Sequence, residues 1–176
     1  MCSKEPGIDM KNLIVVRHAK SSWKDTTLAD HLRPLNKRGK RDAPEMGARL
    51  ADRALQVDRI ISSPAVRALT TAQMIARAAG YPGKEIVIDE RLYPGDLASL
   101  MALIRELDEP LHTVMLFGHN PGLTDLVNTI GDDTIDNVPT CGVVEITLPI
   151  DRWKQTGRKG ALAVRFDYPK KDRDPL

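Results

Sequence analysis

Long hydrophobic runs and an excess of charge of either sign are both missing from this 176-residue sequence. The longest apolar runs, residues 13–16 and 114–117, are far shorter than the roughly 20 residues that a membrane-spanning helix needs. The 26 Lys and Arg residues against 24 Asp and Glu residues leave a formal net charge of +2. Such a balance gives no reason to expect a nucleic acid or a membrane surface as a partner.

Cysteine is also scarce, because Cys2 and Cys141 are the only two in the chain. Two distant cysteines provide neither a disulfide framework nor the ligand spacing of a zinc site. The first ten residues lack the apolar core of a secretory signal peptide. A cytoplasmic location is therefore expected, and Met10, directly before the first strand-like run, is a second candidate start of the protein.

The rest of the composition is typical of a folded α/β domain. Hydrophobic residues make up 41% of the chain and charged residues 28%, and 176 residues fit one domain with a substantial core. Short runs rich in β-branched residues predict six strands, at 11–16, 57–61, 85–88, 113–117, 143–148 and 161–166. Apolar residues at helical spacing predict one helix after each of the first four strands. This alternation predicts a three-layer α/β/α sandwich with a mostly parallel central sheet of about six strands.

The ends of these helices carry local signals. Ser63 and Asn120 are expected N-caps, because each precedes a proline at a first helical position. Asp96 is expected to cap the third helix. Pro44 falls inside the first helical pattern and is expected to kink or restart it.

Three polar clusters each come directly after a predicted strand. Arg17 and His18 follow the first strand, the segment 62–67 with Arg67 follows the second, and His119 follows the fourth. In open α/β sheets, ligands collect beyond the carboxyl ends of the strands. If the three strands are neighbours, two histidines and two arginines meet at one edge of the sheet.

Such a group of side chains suits a phosphoryl group. Arginine forks bind phosphate oxygens through charge-assisted hydrogen bonds, and a neutral imidazole can attack phosphorus. Nearby arginines lower the pKa of a histidine and so keep it unprotonated near neutral pH. Arg67 lies in a first helical turn, where the helix dipole disfavours a cation but favours a bound anion. Taken singly, Arg67 also fits a surface salt bridge, and His119 fits a hydrogen-bonded structural histidine.

Other phosphate-handling machinery is absent from the sequence. It contains no G-x-x-x-x-G-K-[ST] loop. A cysteine phosphatase needs an arginine as the sixth residue after its cysteine, but Cys141 has Thr147 there and Cys2 has Ile8. The paired carboxylates at 132–133 lack partners at metal-site spacing, so we expect neither a metal nor another cofactor.

Three segments, in this order, resemble the histidine phosphatase superfamily. They are LIVVRHAKSSW (13–23), ISSPAVRALTTA (61–72) and LFGHNPGL (116–123). The Arg-His-Ala triplet and a fourth segment, DHLRPLNKRG (30–39), are most similar to the SixA-type phosphohistidine phosphatases of that superfamily. No single tripeptide is specific, but the ordered set is.

The resemblance covers most of the chain. It implies a phosphoglycerate-mutase-like fold in a histidine phosphatase domain at residues 11–168, with residues 1–10 as an N-terminal extension and 169–176 as a C-terminal tail. Ala19 stands where the superfamily has glycine, which is a small change and usual in the subgroup. The chain has no long insertion that would form a lid, so an open site that admits a phosphorylated protein side chain is expected.

The resemblance also implies roles for the matching residues. His18 would be the nucleophile that carries the phosphoryl group, and Arg17 and Arg67 would clamp the phosphoryl oxygens. His119 would donate to the same group and stabilise charge in the transition state. Ser21 matches the serine of the extended motif and is expected to contact the phosphate.

A general acid is the one role that the resemblance leaves open. The residues Glu90-Arg91-Leu92-Tyr93 resemble a superfamily pattern whose glutamate protonates a leaving alkoxide. A phosphohistidine needs such an acid less, because imidazole leaves more readily than an alkoxide, and SixA-type members can lack one. Glu90 is therefore either a general acid or an ordinary surface carboxylate.

These roles imply a metal-independent phosphatase that works through a phosphorylated His18 and dephosphorylates protein phosphohistidine. Two alternatives stay open. One is a small-molecule phosphomonoesterase or a phosphoglycerate-mutase-like enzyme, in which Glu90 would be the acid. The other is an inactive phosphoprotein-binding module. The expected partner is a phosphorylated protein or a small phosphoester, and the sequence leaves the oligomeric state open.

Overall fold

Strands and helices alternate along residues 10–171, which are the residues that the computed structural model describes. The strands there are β1 (Lys11–Arg17), β2 (Arg59–Ser62), β3 (Val87–Ile88), β4 (Thr113–Gly118), β5 (Val143–Leu148) and β6 (Ala163–Asp167). The α-helices there are α1 (Lys37–Ala51), α2 (Val66–Ala78), α3 (Leu97–Arg105) and α4 (Gly122–Ile130). The extension and the tail predicted at 1–10 and 169–176 lie outside the described residues, apart from residue 10 and residues 169–171.

The six strands form one sheet in the order β3-β2-β4-β1-β5-β6. The first four strands in that order are parallel, whereas β5 pairs with β1, and β6 with β5, in the antiparallel sense. The expectation of a mostly parallel sheet of about six strands is confirmed. The predicted strand ends differ from the observed ones by at most two residues, and the bounds of β5 are the same.

Helices cover both faces of this sheet. Successive side chains of a strand point to opposite faces, so β1 supplies residues to two separate cores. Leu13 and Val15 pack in the core beneath α3 and α4, whereas Ile14 and Val16 pack in the core beneath α1 and α2. The three-layer α/β/α sandwich is therefore confirmed. Among the described residues, no helix combines the length and the apolar character needed to cross a bilayer.

Two of the expected N-caps are wrong, because Ala65 and Pro121 occupy the N-cap positions of α2 and α4. Helix α2 begins beyond Ser63, whose hydroxyl lies 2.8 Å from Nε2 of His119. Helix α4 begins beyond Asn120, whose amide donates to the Asn137 side chain at 2.6 Å and to the Val138 carbonyl at 3.0 Å. Both side chains thus contribute to the edge of the sheet where the polar clusters lie.

The other two helix signals have opposite outcomes. The Asp96 carboxylate accepts a 2.8 Å hydrogen bond from the backbone N–H of Ser99, so its capping role is confirmed. Pro44, in contrast, lies inside the uninterrupted helix α1, so the expected restart is wrong. The buried residues on either side of it, Ala43 and Met46, belong to the core under α1. This packing offsets the hydrogen bond that a proline removes from a helix.

Helix α1 approaches the loop after β1 closely at Gly39. A Cβ atom at this position would lie 2.3 Å from the carbonyl oxygen of Lys20. That carbonyl also accepts a 2.9 Å hydrogen bond from the backbone N–H of Asn36. The absence of a side chain at Gly39 therefore lets α1 fix the loop that carries His18.

We expect Gly39→Ala to lower the free energy of unfolding by about 1–2 kcal/mol, because displacement of the loop outweighs the helix propensity that alanine gains. Gly83→Ala is the matched control, since a Cβ atom there meets no atom within 4 Å. Its effect should stay below about 0.5 kcal/mol. Urea unfolding of both variants measures the difference. Equal stability of the two variants would show that the loop is not held by Gly39.

Candidate active site

The three polar clusters meet at one edge of the sheet because β1, β4 and β2 are neighbours. Just beyond the strand ends, the backbone N–H of His18 donates to the Gly118 carbonyl at 3.1 Å. The backbone N–H of Ser63 donates to the Phe117 carbonyl at 2.9 Å. The structure thus brings together Arg17, His18, Arg67 and His119, as the sequence predicts.

The ring of His18 is held with one nitrogen toward its own backbone. Nδ1 lies 2.8 Å from the carbonyl oxygen of Ala19, and a carbonyl can only accept, so Nδ1 carries the proton. Nε2 therefore has the lone pair, and it accepts from Nε of Arg67 at 3.3 Å. The residue is only 9% exposed. This arrangement presents an unprotonated Nε2 beside a guanidinium.

His18 is also kept neutral by its surroundings. Burial lowers its pKa from 6.5 to about 4; the charges of Arg67 and Arg17 act in the same direction, and the hydrogen bond to Ala19 opposes them. The sequence argument predicted the direction of this shift from the arginines, but burial is the larger cause. A neutral imidazole at physiological pH is the form that can act as a nucleophile.

His119 presents a hydrogen rather than a lone pair. The Ser63 hydroxyl accepts from the backbone N–H of Ala65 at 3.2 Å and lies 2.8 Å from His119 Nε2. A hydroxyl can accept two hydrogen bonds, but Nε2 is the only acceptor in contact with the Ser63 hydroxyl among the described residues. The assignment that leaves fewest polar groups unsatisfied therefore directs the hydroxyl hydrogen to Nε2 and puts the ring proton of His119 on Nδ1. This Nδ1 is buried and has no hydrogen-bond partner among the described residues. It can donate to an oxygen atom of a bound anion.

The two histidine rings lie side by side, with 5.0 Å between their centroids. Tyr93 packs edge-on against His119 at 5.2 Å. Burial lowers the pKa of His119 from 6.5 to about 3, and the neighbouring His18 and Arg67 contribute to the same shift. Both rings are thus uncharged near neutral pH.

Arg67 has both of the roles that the sequence left open, a salt bridge and a place in the polar cluster. Its Nη1 donates to the Asp30 carbonyl at 2.6 Å, and its Nη2 donates to the Asp30 carboxylate at 2.8 Å. The residue nevertheless is only 5% exposed, and its Nε reaches His18. Arg67 is therefore both ion-paired and part of the buried polar cluster.

Arg17 is held by the loop before β5. Its Nη1 donates to the Val138 carbonyl at 2.8 Å and to the Asn137 side chain at 3.2 Å. Its Nε is buried and has no hydrogen-bond partner in the part of the chain that the structure describes. This N–H is a second donor that a bound anion would satisfy.

A third arginine, Arg33, belongs to the same site and was not predicted. Its Nη2 donates to the Ser21 hydroxyl, and its Nη1 donates to Asp30 at 2.6 Å. Ser21 is buried, and it lines with His18 and Arg33 a cavity of about 320 Å³. The structure thus places Ser21 at the site, and its expected contact with phosphate stays a prediction. The signal for Arg33 was its place in the DHLRPLNKRG segment, to which no role was assigned.

Asp30 is the carboxylate of the site, and it was also missed. Against the effect of desolvation, hydrogen bonds from Tyr93, Arg67 and Arg33 hold the pKa of Asp30 well below its usual range. The hydrogen bond to Asp30, 2.8 Å long, in turn raises the pKa of Tyr93. Asp30 is therefore an ionised anchor for two arginines and a tyrosine.

Glu90 is not brought into this group. It is exposed at the start of a short 3₁₀ helix, Glu90–Leu92, and its carboxylate makes no hydrogen bond or ion pair with any described residue. The pattern Glu90-Arg91-Leu92-Tyr93 instead contributes its last residue, Tyr93, to the site. The role of Glu90 as an acid stays a prediction.

The arrangement is chemically suited to a phosphoryl group. Three guanidiniums and the exposed ammonium of Lys20 outnumber the one carboxylate, so the cavity keeps a positive charge that favours an anion. The described residues include no group of three or more His, Cys, Asp or Glu side chains that could hold a metal ion. Cys141 lies two residues before β5. Burial raises the pKa of its thiol to about 12. Its thiol is therefore a poor nucleophile.

Comparison with known families agrees with this geometry. Residues 13–111, more than half of the chain, match the family model of the histidine phosphatase superfamily, branch 1. The chain belongs to this superfamily. The resemblance drawn from the four sequence segments is confirmed, and membership supports a phosphatase as the class of enzyme.

Individual relatives extend the match. An uncharacterised chloroplastic protein of Arabidopsis thaliana is 29% identical over 153 residues, 82% of this chain and 70% of that protein. A solved structure from Agrobacterium tumefaciens, provisionally named phosphohistidine phosphatase SixA, is 28% identical, with a TM-score of 0.70 over 88% of this chain and 97% of that one. The protein histidine phosphatase SixA in complex with tungstate has a TM-score of 0.75 at 21% identity, over 90% of this chain and 97% of its own. These matches confirm the phosphoglycerate-mutase-like fold.

The lowered histidine pKa values predict the pH behaviour of the site. His18 and His119 should stay uncharged down to about pH 5, with their protons on Nδ1. Because the unfolded chain takes up these protons near pH 6.5, the free energy of unfolding should fall as the pH is lowered below that value.

Two-bond ¹H–¹⁵N NMR spectra of the imidazoles, recorded from pH 8 downward, measure both the charge and the tautomer. The variant His18→Asn assigns the signals. Titration of either ring near its ordinary pKa, or a proton on Nε2 of His18, would contradict this account of the site.

Proposed function

We propose that the protein is a metal-independent phosphatase that forms a phosphohistidine intermediate on His18 and removes phosphate from phosphohistidine in proteins. The observation that carries the proposal is the fixed tautomer of His18. Its Nδ1–H is bound to Ala19, so Nε2 offers its lone pair at the point where the arginines and His119 converge. That lone pair is the attacking group.

In the first step, Nε2 of His18 attacks phosphorus and the bond between phosphorus and the substrate imidazole breaks. The electron pair of that bond goes to the leaving nitrogen, which takes a proton from water. Arg17 and Arg67 neutralise the phosphoryl oxygens, and the free Nδ1–H of His119 donates to one of them. The hydrogen bond to Ala19 holds the proton of His18 while the ring carries the phosphoryl group.

In the second step, water attacks the phosphorus atom from the side opposite to Nε2. The bond between phosphorus and Nε2 breaks, its electron pair returns to His18, and the proton of the water leaves with phosphate or to solvent. The ring is then neutral again. Positioning and electrostatic stabilisation account for most of the catalysis of such transfers.

Two observations support phosphohistidine as the substrate. The only carboxylate found in hydrogen-bond contact with the described site, that of Asp30, is ionised and committed to two arginines, so it cannot supply a proton. The leaving group of a phosphohistidine is an imidazole, so its hydrolysis depends less on a general acid than that of an alkyl phosphate does. The tungstate-bound relative, itself named a protein histidine phosphatase, supports the same class.

Phosphate release by the wild type and by His18→Ala tests the proposal. Each is given an aryl phosphate and a phosphohistidine-bearing protein in the presence of EDTA. We expect His18→Ala to lose more than about 10³-fold in kcat with both substrates. His112→Ala is the matched control, because His112 is exposed and lies outside the site.

The substrates also separate the alternatives. Faster turnover of small phosphoesters would favour the phosphomonoesterase reading. Binding of phosphate without turnover of either substrate would favour a phosphoprotein-binding module. Activity that EDTA abolishes, or that His18→Ala retains, would overturn the proposed mechanism.

Glu90→Gln tests the general acid separately. If Glu90 protonates an alkoxide, the variant should lose roughly 10²- to 10⁴-fold in alkyl phosphoester hydrolysis and change less than about twofold with phosphohistidine. Glu85→Gln, another exposed glutamate, is the matched control. Equal loss on both substrates would show that Glu90 does not distinguish leaving groups.

A further inference from the structure

An exposed tryptophan stands at the mouth of the site. Trp23 lines the same cavity of about 320 Å³ as His18, Arg17 and Arg67, yet 68% of its surface is exposed. The other large aromatic of this type, Trp153, is completely buried. A tryptophan side chain stabilises a contact by burying a large apolar area. An exposed indole ring beside the cavity is therefore a candidate contact surface for a ligand.

The ring of Trp23 is supported on one face. The guanidinium carbon of Arg33 lies 3.3 Å from the ring centroid, which is a close cation–π stack. Arg33 is itself fixed, because it donates to the Ser21 hydroxyl, to the Asp30 carboxylate and to the Ser22 carbonyl. Since Arg33 covers one face, the exposed area belongs to the opposite face and the ring edge.

Trp23 is also chemically distinct from its surroundings. Among the described residues that line the cavity, it has the only large apolar side chain; the others are arginine, histidine, lysine, serine and threonine. The polar residues suit the phosphoryl oxygens. Trp23 is the one flat apolar surface at this opening.

We propose that the exposed face of Trp23 is a subsite that stacks against a planar leaving group attached directly to phosphorus, such as the imidazole of a phosphohistidine. This inference rests on the proposed function and names how its substrate is selected. A rigid ring that is already held by Arg33 loses little conformational freedom when it stacks. A flexible alkyl group has no flat face to offer to the ring, so it gains less.

Binding of non-hydrolysable ligands tests the subsite without catalysis. The probes are phenylphosphonate, which has a planar ring on phosphorus, propylphosphonate, which does not, and inorganic phosphate. Isothermal titration calorimetry on the wild type should give a Kd for phenylphosphonate about 2- to 12-fold lower than for propylphosphonate. Trp23→Leu should lose this preference, and Trp23→Phe should keep most of it.

Two controls separate stacking from structural support. Leu28→Ala removes another partly exposed apolar side chain of the same loop and should leave the preference unchanged. The affinity for inorganic phosphate should be the same, within about twofold, in the wild type and in Trp23→Leu. If Trp23→Leu weakens all three ligands equally, Trp23 only positions Arg33, and the subsite is refuted. A preference that survives in Trp23→Leu refutes it as well.

Fluorescence provides a second readout. Phenylphosphonate should change the tryptophan emission of the wild type, excited at a wavelength that the ligand does not absorb, more than inorganic phosphate does. In Trp23→Phe, only the buried Trp153 remains, and the emission should not respond; a response there would contradict the assignment. Failure of the subsite is distinct from failure of the proposed function. Turnover without the ring preference refutes the subsite alone, whereas the ring preference without turnover refutes the phosphatase alone.

Discussion

The parallel pairing of β1 with β4 and of β4 with β2 is the constraint on which the site depends. Arg17 is paired with Gly118, and Ser62 with Phe117. The three strands therefore end at the same edge of the sheet, and the residues that follow them lie close together. A shift of one residue in either pairing would turn every side chain of a strand to the opposite face. Because both faces of these strands are buried, such a shift would also disrupt both cores. The packing of the sheet therefore sets the geometry of the chemistry.

Charge compensation is the second constraint, and Asp30 provides it. Buried guanidiniums need hydrogen-bonding partners or counter-charges. Asp30 binds Arg67 and Arg33 at once, whereas Arg17 relies on the Val138 carbonyl and the Asn137 amide oxygen. One carboxylate among three guanidiniums holds their positions without cancelling their charge. The residue that holds two of the arginines in place thus leaves the site with a positive charge that attracts an anion.

The sequence predicts the strands and the residues at their ends because completely buried parallel strands are continuous apolar runs. It does not predict which distant side chains those residues contact. Ser63 and Asn120 have the composition and position of N-caps, yet their partners, His119 and the 137–138 loop, lie far along the chain. Local rules of helix capping compete here with contacts across the sheet edge, and the latter prevail. Asp30 escapes local rules for a similar reason, since two of its three partners, Arg67 and Tyr93, come from distant segments and only Arg33 is near in sequence.

The two buried histidines show why burial, rather than the arginines alone, matters to this site. Two neutral rings 5.0 Å apart have the same composition but opposite hydrogen-bonding roles, because each is oriented by a different neighbour. A carbonyl next in the chain fixes a lone pair on Nε2 of His18, and a serine from the adjacent strand fixes a hydrogen on Nδ1 of His119. Protonation of either ring would erase this difference and add a positive charge beside three arginines. Desolvation prevents that protonation, so the same burial that stabilises the fold keeps a lone pair on Nε2 of one histidine and an unpartnered N–H on the other.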